Sequence, residues 1–282
     1  MIAVVDYQKG NLKSVERGLI AAGGEAFITA DASEIAKADA IVLPGVGAFA
    51  DAAATMCELG QMEAIRDRVR SGVPFLGICL GEHLMFEHGV EGAPEGSPAC
   101  GLGLLPGTVV AMPRCDEQGK AFKVPHVGWN TIEMPACNGG AAVPPCGEGG
   151  GNAVLSSGGA GGGAARSSAA KRGLFEHGAF PGSAPQVGSE LAFPDSTPQP
   201  GSDLAFACPL FDGIAPGEYF YFTHSYIAPT GSHTIAVTTH TARFTSAVQF
   251  GECAFGVQFH PEKSSDAGAR VLANFVAIVA RG

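Results

Sequence analysis

The sequence predicts an α/β fold: a sandwich of helices around a central, mainly parallel sheet, with a nucleophile elbow and some antiparallel strands late in the chain. Three observations carry this. Apolar runs alternate with segments of helical spacing through residues 1–80, the pattern of strand–helix crossovers that cover both faces of a parallel sheet. Gly77-Ile78-Cys79-Leu80-Gly81 places one cysteine between two glycines at the end of an apolar run. The second half of the chain reads as successive strands and turns closed by a helix.

Met1 to Asp6 is a short apolar run that reads as a first strand. Asn11 is placed to cap a helix marked by Leu12, Val15, Leu19 and Ala22 and ended by Gly23 and Gly24. Glu25 to Thr29 and Ala40 to Leu43 read as further strands, and Leu59, Met62, Ile65 and Val69 mark a helix that leads into the strand Val73 to Ile78. Leu80 to Glu87 reads as the start of the next helix, so Cys79 falls at a strand–helix junction. Thr108 to Met112, Thr131 to Met134, Tyr219 to Ala228, Thr234 to His240 and Ala247 to Phe250 read as strands, and Val271, Leu272, Phe275, Val276 and Val279 as one face of a last helix.

Between residues 136 and 206 the composition changes: 44 of 71 residues are Gly, Ala, Ser or Pro. Such a stretch cannot bury enough apolar area to offset the entropy of ordering it. The sequence therefore predicts a single domain over 1–282 interrupted by a low-complexity, mostly disordered surface insertion at about 136–206. Inside it Pro185 to Phe193 recurs as Pro198 to Phe206. Two copies are too few for a stacked repeat, which points to a local duplication.

Composition narrows the function. A net charge of -10 and the absence of a basic stripe argue against nucleic acid as a partner. No apolar run approaches the roughly 18–20 residues that cross a bilayer, and Met1-Ile2-Ala3-Val4-Val5-Asp6 has no basic region before its apolar part, so no membrane partner is expected and the location expected is cytoplasmic. The eight cysteines form no Cys-x-x-Cys pair and no zinc spacing, which fits a reducing compartment. His83, Glu87 and His88 match no zinc motif either, and neither metal nor cofactor is expected.

Cys79 carries the chemistry. Glycines two before and two after it let the chain turn sharply and let neighbouring backbone approach, the arrangement of a nucleophile elbow with sulfur in place of oxygen. A helix N-terminus following it favours thiolate. A thiolate nucleophile needs an imidazole, and the imidazole needs an orienting group. Phe259-His260-Pro261-Glu262 supplies both, because residues two apart in extended chain share a side and Pro261 stiffens the link. Cys79, His260 and Glu262 together make a triad of the acyl-transfer kind.

Pro74 to Gly81 and Gly256 to Ser264 resemble the two signatures of the class I (triad) glutamine amidotransferases. Asp6-Tyr7 followed by Gly10-Asn11-Leu12, Leu43-Pro44-Gly45-Val46-Gly47-Ala48-Phe49, Val124-Pro125-His126-Val127-Gly128-Trp129-Asn130 and Tyr221-Phe222-Thr223-His224-Ser225-Tyr226 narrow the resemblance to the glutaminase subunits of imidazole glycerol phosphate synthase, from histidine biosynthesis. The resemblance runs almost end to end apart from the insertion.

It implies a flavodoxin-like fold, glutamine as substrate, and hydrolysis to glutamate and ammonia through Cys79, His260 and Glu262. It implies that the oxyanion is met by the N–H of Leu80 and by the Val46-Gly47 strand, with Val46 N–H as donor. Ammonia would pass to a (β/α)-barrel cyclase subunit in a heterodimer, with Asn11, Trp129, Tyr221 and Lys263 at the interface. One departure stands out: the class usually has glutamine four residues after the nucleophile, where it helps hold substrate, and this chain has His83. Gln8 likewise replaces a residue that is usually small. Two other readings compete with the enzyme subunit. One is a non-catalytic binding subunit, which His83 and the insertion suggest and the intact triad opposes; the other is an amidotransferase or γ-glutamyl hydrolase of a different pathway, which the Pro-Gly-Val-Gly and Gly-Trp-Asn segments oppose.

Overall fold

A computed structural model describes residues 1–133 and 208–281, all within one compact unit. Among the described residues a seven-stranded sheet forms the centre. Its strands are β1 (Ile2–Val5), β2 (Ala26–Thr29), β3 (Ala40–Gly45), β4 (Phe75–Cys79), β11 (Thr234–Thr239), β12 (Arg243–Phe250) and β13 (Ala254–Val257), in the order β11-β12-β13-β4-β3-β1-β2. From β13 to β2 every pairing is parallel, while β11, β12 and β13 pair antiparallel. The mainly parallel sheet with an antiparallel edge is the architecture expected from the sequence.

Side-chain alternation along these strands feeds two cores. Ile2, Val4, Val42, Leu76 and Ile78 face the layer of α1 (Leu12–Ala21) and α6 (Ser265–Val279), where they meet Val15, Leu19, Val271, Leu272 and Phe275. Val5, Ile41, Leu43 and Phe75 face the opposite layer with Met56 of α3 (Phe49–Glu58) and Ile65 of α4 (Gln61–Arg70). A short helix α2 (Ala32–Ile35), capped by the Asp31 carboxylate on Ser33 N–H, adds Ile35 to that second core.

The remaining strands build two smaller sheets. β5 (Phe86–Gly89), β6 (Ala99–Cys100), β7 (Leu105–Ala111) and β10 (Tyr226–Ile227) form one in the order β10-β7-β5-β6, and β8 (His126–Thr131) pairs antiparallel with β9 (Tyr219–His224) in the other.

Several boundaries differ from the sequence reading. The helix expected over Leu80 to Glu87 is α5, Leu80–His83 alone; the carbonyls of Leu84, Met85 and Phe86 accept from the N–H groups of Leu102, Leu104 and Gly103, which takes them out of the helix ladder and turns the chain into β5. Tyr219 to Ala228 is broken between β9 and β10, whose strands join different sheets. The strand expected at Thr131 lies earlier, as β8. Helix α3, absent from the sequence reading, has Phe49, Ala52, Ala53 and Met56 at helical spacing and all buried. The insertion expected at about 136–206, with its duplicated segment, lies outside the described residues.

Candidate active site

Cys79 is the last residue of β4 and sits at φ 55°, ψ -107°, a left-handed region that L side chains rarely adopt. Local packing holds it there. A Cβ at Gly81 would overlap the carbonyl oxygen of Leu43, so α5 can leave β4 against β3 only with glycine at that position. This is the expected elbow, with a thiol that is 7% exposed. The helix after it is one turn long, which makes the dipole available to the sulfur smaller than the sequence reading assumed.

The parallel register sets Gly45 opposite Cys79, which runs Val46 and Gly47 past the nucleophile. Val46 is 41% exposed and Gly47 has φ 101°, so the strand leaves the sheet at this point. Leu80 is buried at the start of α5, where the first backbone N–H groups have no acceptor within the helix. The Tyr7 hydroxyl is buried against Gly45. Burial raises its phenol pKa, the Cys79 sulfur raises it further and the Val46 amide opposes both. That amide lies near the hydroxyl but outside hydrogen-bonding geometry, so the hydroxyl has no partner.

His260 and Glu262 follow β13, which pairs with β4 on its other side. His260 Nδ1 and Glu262 Oε1 are 3.0 Å apart, with both side chains buried. Burial works against a charged imidazole, but the Cys79 sulfur and the Glu262 carboxylate beside it hold His260 up at about 9. The converse holds for Glu262: burial would raise it, and His260 brings it below its ordinary value. His260 Nε2 has no partner within hydrogen-bonding geometry, so Cys79 acts on it across a gap that substrate or a small movement must close.

Asn11, expected at an interface and as a helix cap, makes no cap bond. Its Nδ2 lies 3.5 Å from Glu262 Oε1, which turns it toward the His–Glu pair. Trp129, Tyr221 and Lys263 gather on one surface. In the two-stranded sheet β8–β9, Trp129 opposes Tyr221 and Val127 opposes Thr223. Trp129 is 52% and Val127 54% exposed, the Trp129 and Tyr221 rings meet edge to face at 6.0 Å, and Lys263 Nζ lies 5.9 Å from the Tyr221 ring centroid. The backbone of β9 in the same sheet reaches the site: His260 N–H donates to the Tyr221 carbonyl at 2.9 Å, and the Cys79 thiol lies 4.0 Å from the Thr223 carbonyl.

Three groups near Cys79 go beyond the sequence reading. His83, offered there as a substrate contact, is buried, and its Nε2 bonds Gln258 Oε1 at 2.6 Å; burial, opposed by that bond, lowers its pKa to about 4. Gln258 Nε2 in turn points at Cys79 Sγ, 3.7 Å away. The register brings Gln258 there: Val257 pairs with Ile78, so the next residues, Gln258 and Cys79, are neighbours, and no sequence signal gave this. Glu82 is fully buried with neither carboxylate oxygen bonded. Burial, and then Cys79, push its pKa well above its ordinary value, toward the uncharged form. No local pattern announced this residue. Among the described residues no group of three His, Cys, Asp or Glu side chains could hold a metal ion, and no helix is long and apolar enough to cross a membrane.

Comparison with known proteins fits this geometry. Residues 17–133 match the CobB/CobQ-like glutamine amidotransferase domain and residues 193–279 match glutamine amidotransferase class-I. A solved glutamine amidotransferase superposes with a TM-score of 0.56 at 14% identity, covering 99% of this chain and 100% of its own, which shows the shared fold. Imidazole glycerol phosphate synthase subunit HisH of Rhodopirellula baltica is 34% identical over 98% of this chain and 96% of its own length. The subunit of the same name from Moorella thermoacetica is 35% identical over 99% and 95%. The chain belongs to the HisH family, the glutamine amidotransferase subunits of imidazole glycerol phosphate synthase in histidine biosynthesis.

Proposed function

We propose that this chain is the glutaminase of a two-subunit synthase, working through a Cys79–His260–Glu262 triad within one domain that residues 136–206 interrupt. The Cys79 thiolate attacks the side-chain amide carbon of glutamine, forming a C–S bond. The tetrahedral intermediate collapses with cleavage of the C–N bond as His260 gives its proton to the departing ammonia. Water, deprotonated by the now neutral His260, adds to the γ-glutamyl thioester and releases glutamate and the thiol. The observation that carries this reading is His260: held protonated by Glu262 beside a buried elbow cysteine, it is the acid that the leaving amine needs.

Leu80 N–H and the Val46–Gly47 strand are the oxyanion donors in this proposal. Removing one such donor costs about a hundredfold to a thousandfold. The ammonia passes to a separate (β/α)-barrel cyclase subunit, docked on the face of Val127, Trp129, Tyr221 and Lys263, which makes imidazole glycerol phosphate and aminoimidazole carboxamide ribonucleotide. What supports docking there is the aromatic face itself and the two carbonyls behind it, Tyr221 on His260 and Thr223 on Cys79, which give a bound partner a direct mechanical route to the triad.

The test is glutamate release by wild type and Cys79→Ala, each with and without the cognate cyclase and its nucleotide ligand. Wild type is expected to be slow alone and strongly stimulated in the complex, while Cys79→Ala loses on the order of 10⁴-fold or more. Equal turnover with and without cyclase would sink the coupling, and turnover by Cys79→Ala would sink the triad.

A further inference from the structure

Gln258 and His83 stand in line with the nucleophile, and the acyl-transfer steps give neither of them a task. We propose that Gln258, held by His83, is a positioning residue that aims an amide N–H at the Cys79 sulfur and so favours thiolate over thiol; this rests on the reading of Cys79 as the nucleophile.

The two contacts fit one set of donors and acceptors. Gln258 is fully buried and His83 is 3% exposed, so water does not scramble the arrangement. Gln258 Oε1 can only accept, and His83 Nε2 lies 2.6 Å from it, which matches this amide rotamer with the neutral His83 tautomer that carries its hydrogen on Nε2. In that match the nitrogen end of the amide faces the sulfur at 3.7 Å. The reverse rotamer, matched with the other tautomer, would set an oxygen against the sulfur and favour the thiol instead. An amide N–H pointed at an anionic sulfur is a charge-assisted bond, stronger than the same bond to a neutral thiol.

On the opposite side the Thr223 carbonyl, 4.0 Å from Sγ, can only accept, which favours the protonated thiol. The sulfur thus sits between a donor that stabilises its charged form and an acceptor that stabilises its neutral form. The titratable groups around it are Tyr7 after β1, Glu82 and His83 on α5, His260 and Glu262 after β13, and His224 next to Thr223 on β9. With His83 neutral and burial favouring the uncharged form of Glu82, the charge that favours thiolate comes from His260 and the directed dipole from Gln258. His83 is therefore a substitute for glutamine that keeps the one property this contact needs, a donor aimed at Gln258 Oε1.

The experiment is alkylation of the full chain by iodoacetamide, followed at the Cys79 peptide by mass spectrometry because Cys57, Cys100 and Cys115 are exposed. Gln258→Met is expected to slow Cys79 alkylation by roughly threefold to tenfold near pH 7, with the difference from wild type narrowing as pH rises. His83→Leu is expected to slow it in the same sense, and His83→Gln to keep the wild-type profile. A wild-type rate near pH 7 in folded Gln258→Met overturns the proposal. Should that variant not fold, equal rates in His83→Leu and His83→Gln overturn it, and a slow Leu variant beside a wild-type Gln variant supports it. Alkylation needs neither glutamine nor a partner. Slowed alkylation in a chain without glutamine turnover would sink the glutaminase reading alone, and normal turnover with unaltered alkylation would sink this pair alone.

Discussion

A carboxylic acid that is fully buried with no bond to either oxygen, as Glu82 is, costs stability that a nonpolar side chain of similar length does not. Glu82→Met is expected to stabilise the protein by about 1–3 kcal/mol in chemical denaturation. The sign with pH follows from its raised native pKa: the unfolded chain releases the proton near 4.5 while the native state keeps it, so Glu82 lowers stability progressively as pH rises above that value. The variant should flatten this slope, and an unchanged slope would show Glu82 to be bonded or hydrated. His260 has the same sense, because its native pKa is raised too. Its native pKa of about 9 lies above the ordinary 6.5, so its contribution to stability is complete below 6.5 and is lost as pH rises through 9. Glu262→Gln removes one of the two partners that raise it. An NMR titration of the His260 ring is expected to move down by about one unit or more, with a fall in turnover on the order of a hundredfold.

The two-stranded sheet β8–β9 is the element that joins surface to site. Along β9, Phe220, Phe222 and His224 are buried while Tyr219 is exposed and Tyr221 and Thr223 half-exposed, so a single strand packs a core and presents a face. Trp129→Ala is expected to weaken cyclase binding by about tenfold to a hundredfold, read by calorimetry, with little change in the melting of the free chain, since the indole is half exposed there. The buried face of this sheet carries a histidine pair. His126 Nδ1 and His224 Nε2 are 3.0 Å apart in register, and His224 Nδ1 donates to the Tyr226 carbonyl at 2.8 Å. Burial is the main cause that lowers His126 to about 4 and His224 to about 3. Both are neutral at neutral pH, and stability is expected to fall as pH drops below the ordinary 6.5 toward these values. His126→Asn should reduce that acid loss in pH-dependent thermal melts; an identical acid limb would remove the pair as its source.

At the scale of the molecule the sheet order explains why residues far apart in the chain meet. β4 lies between β3 and β13, so Gly45 pairs Cys79 from one side and Val257 pairs Ile78 from the other. The Val46–Gly47 strand and the His–Glu segment therefore flank Cys79, at the carboxyl ends of parallel strands where such sheets hold their sites. Deleting residues 140–200, which are rich in Gly, Ala, Ser and Pro, is expected to leave glutaminase activity in the complex within about twofold. A larger loss would place part of that segment at the site or the interface.

The elbow, the His-Pro-Glu segment and the strand–helix alternation were legible in the sequence because each is local: glycines at fixed offsets, residues two apart in extended chain, apolar residues at a constant period. By those means the chain alone determined its fold class and its triad candidates. Tertiary structure decided what depends on register and burial. It shortened the helix after Cys79 to one turn, because the carbonyls of Leu84, Met85 and Phe86 pair with the distant segment 102–104. It turned Asn11 to Glu262, set Gln258 against Cys79 through a strand pairing, and left Glu82 without a partner. None of these follows from neighbours in sequence, since the energies of a buried carboxyl or a directed amide depend on which distant groups the fold brings near.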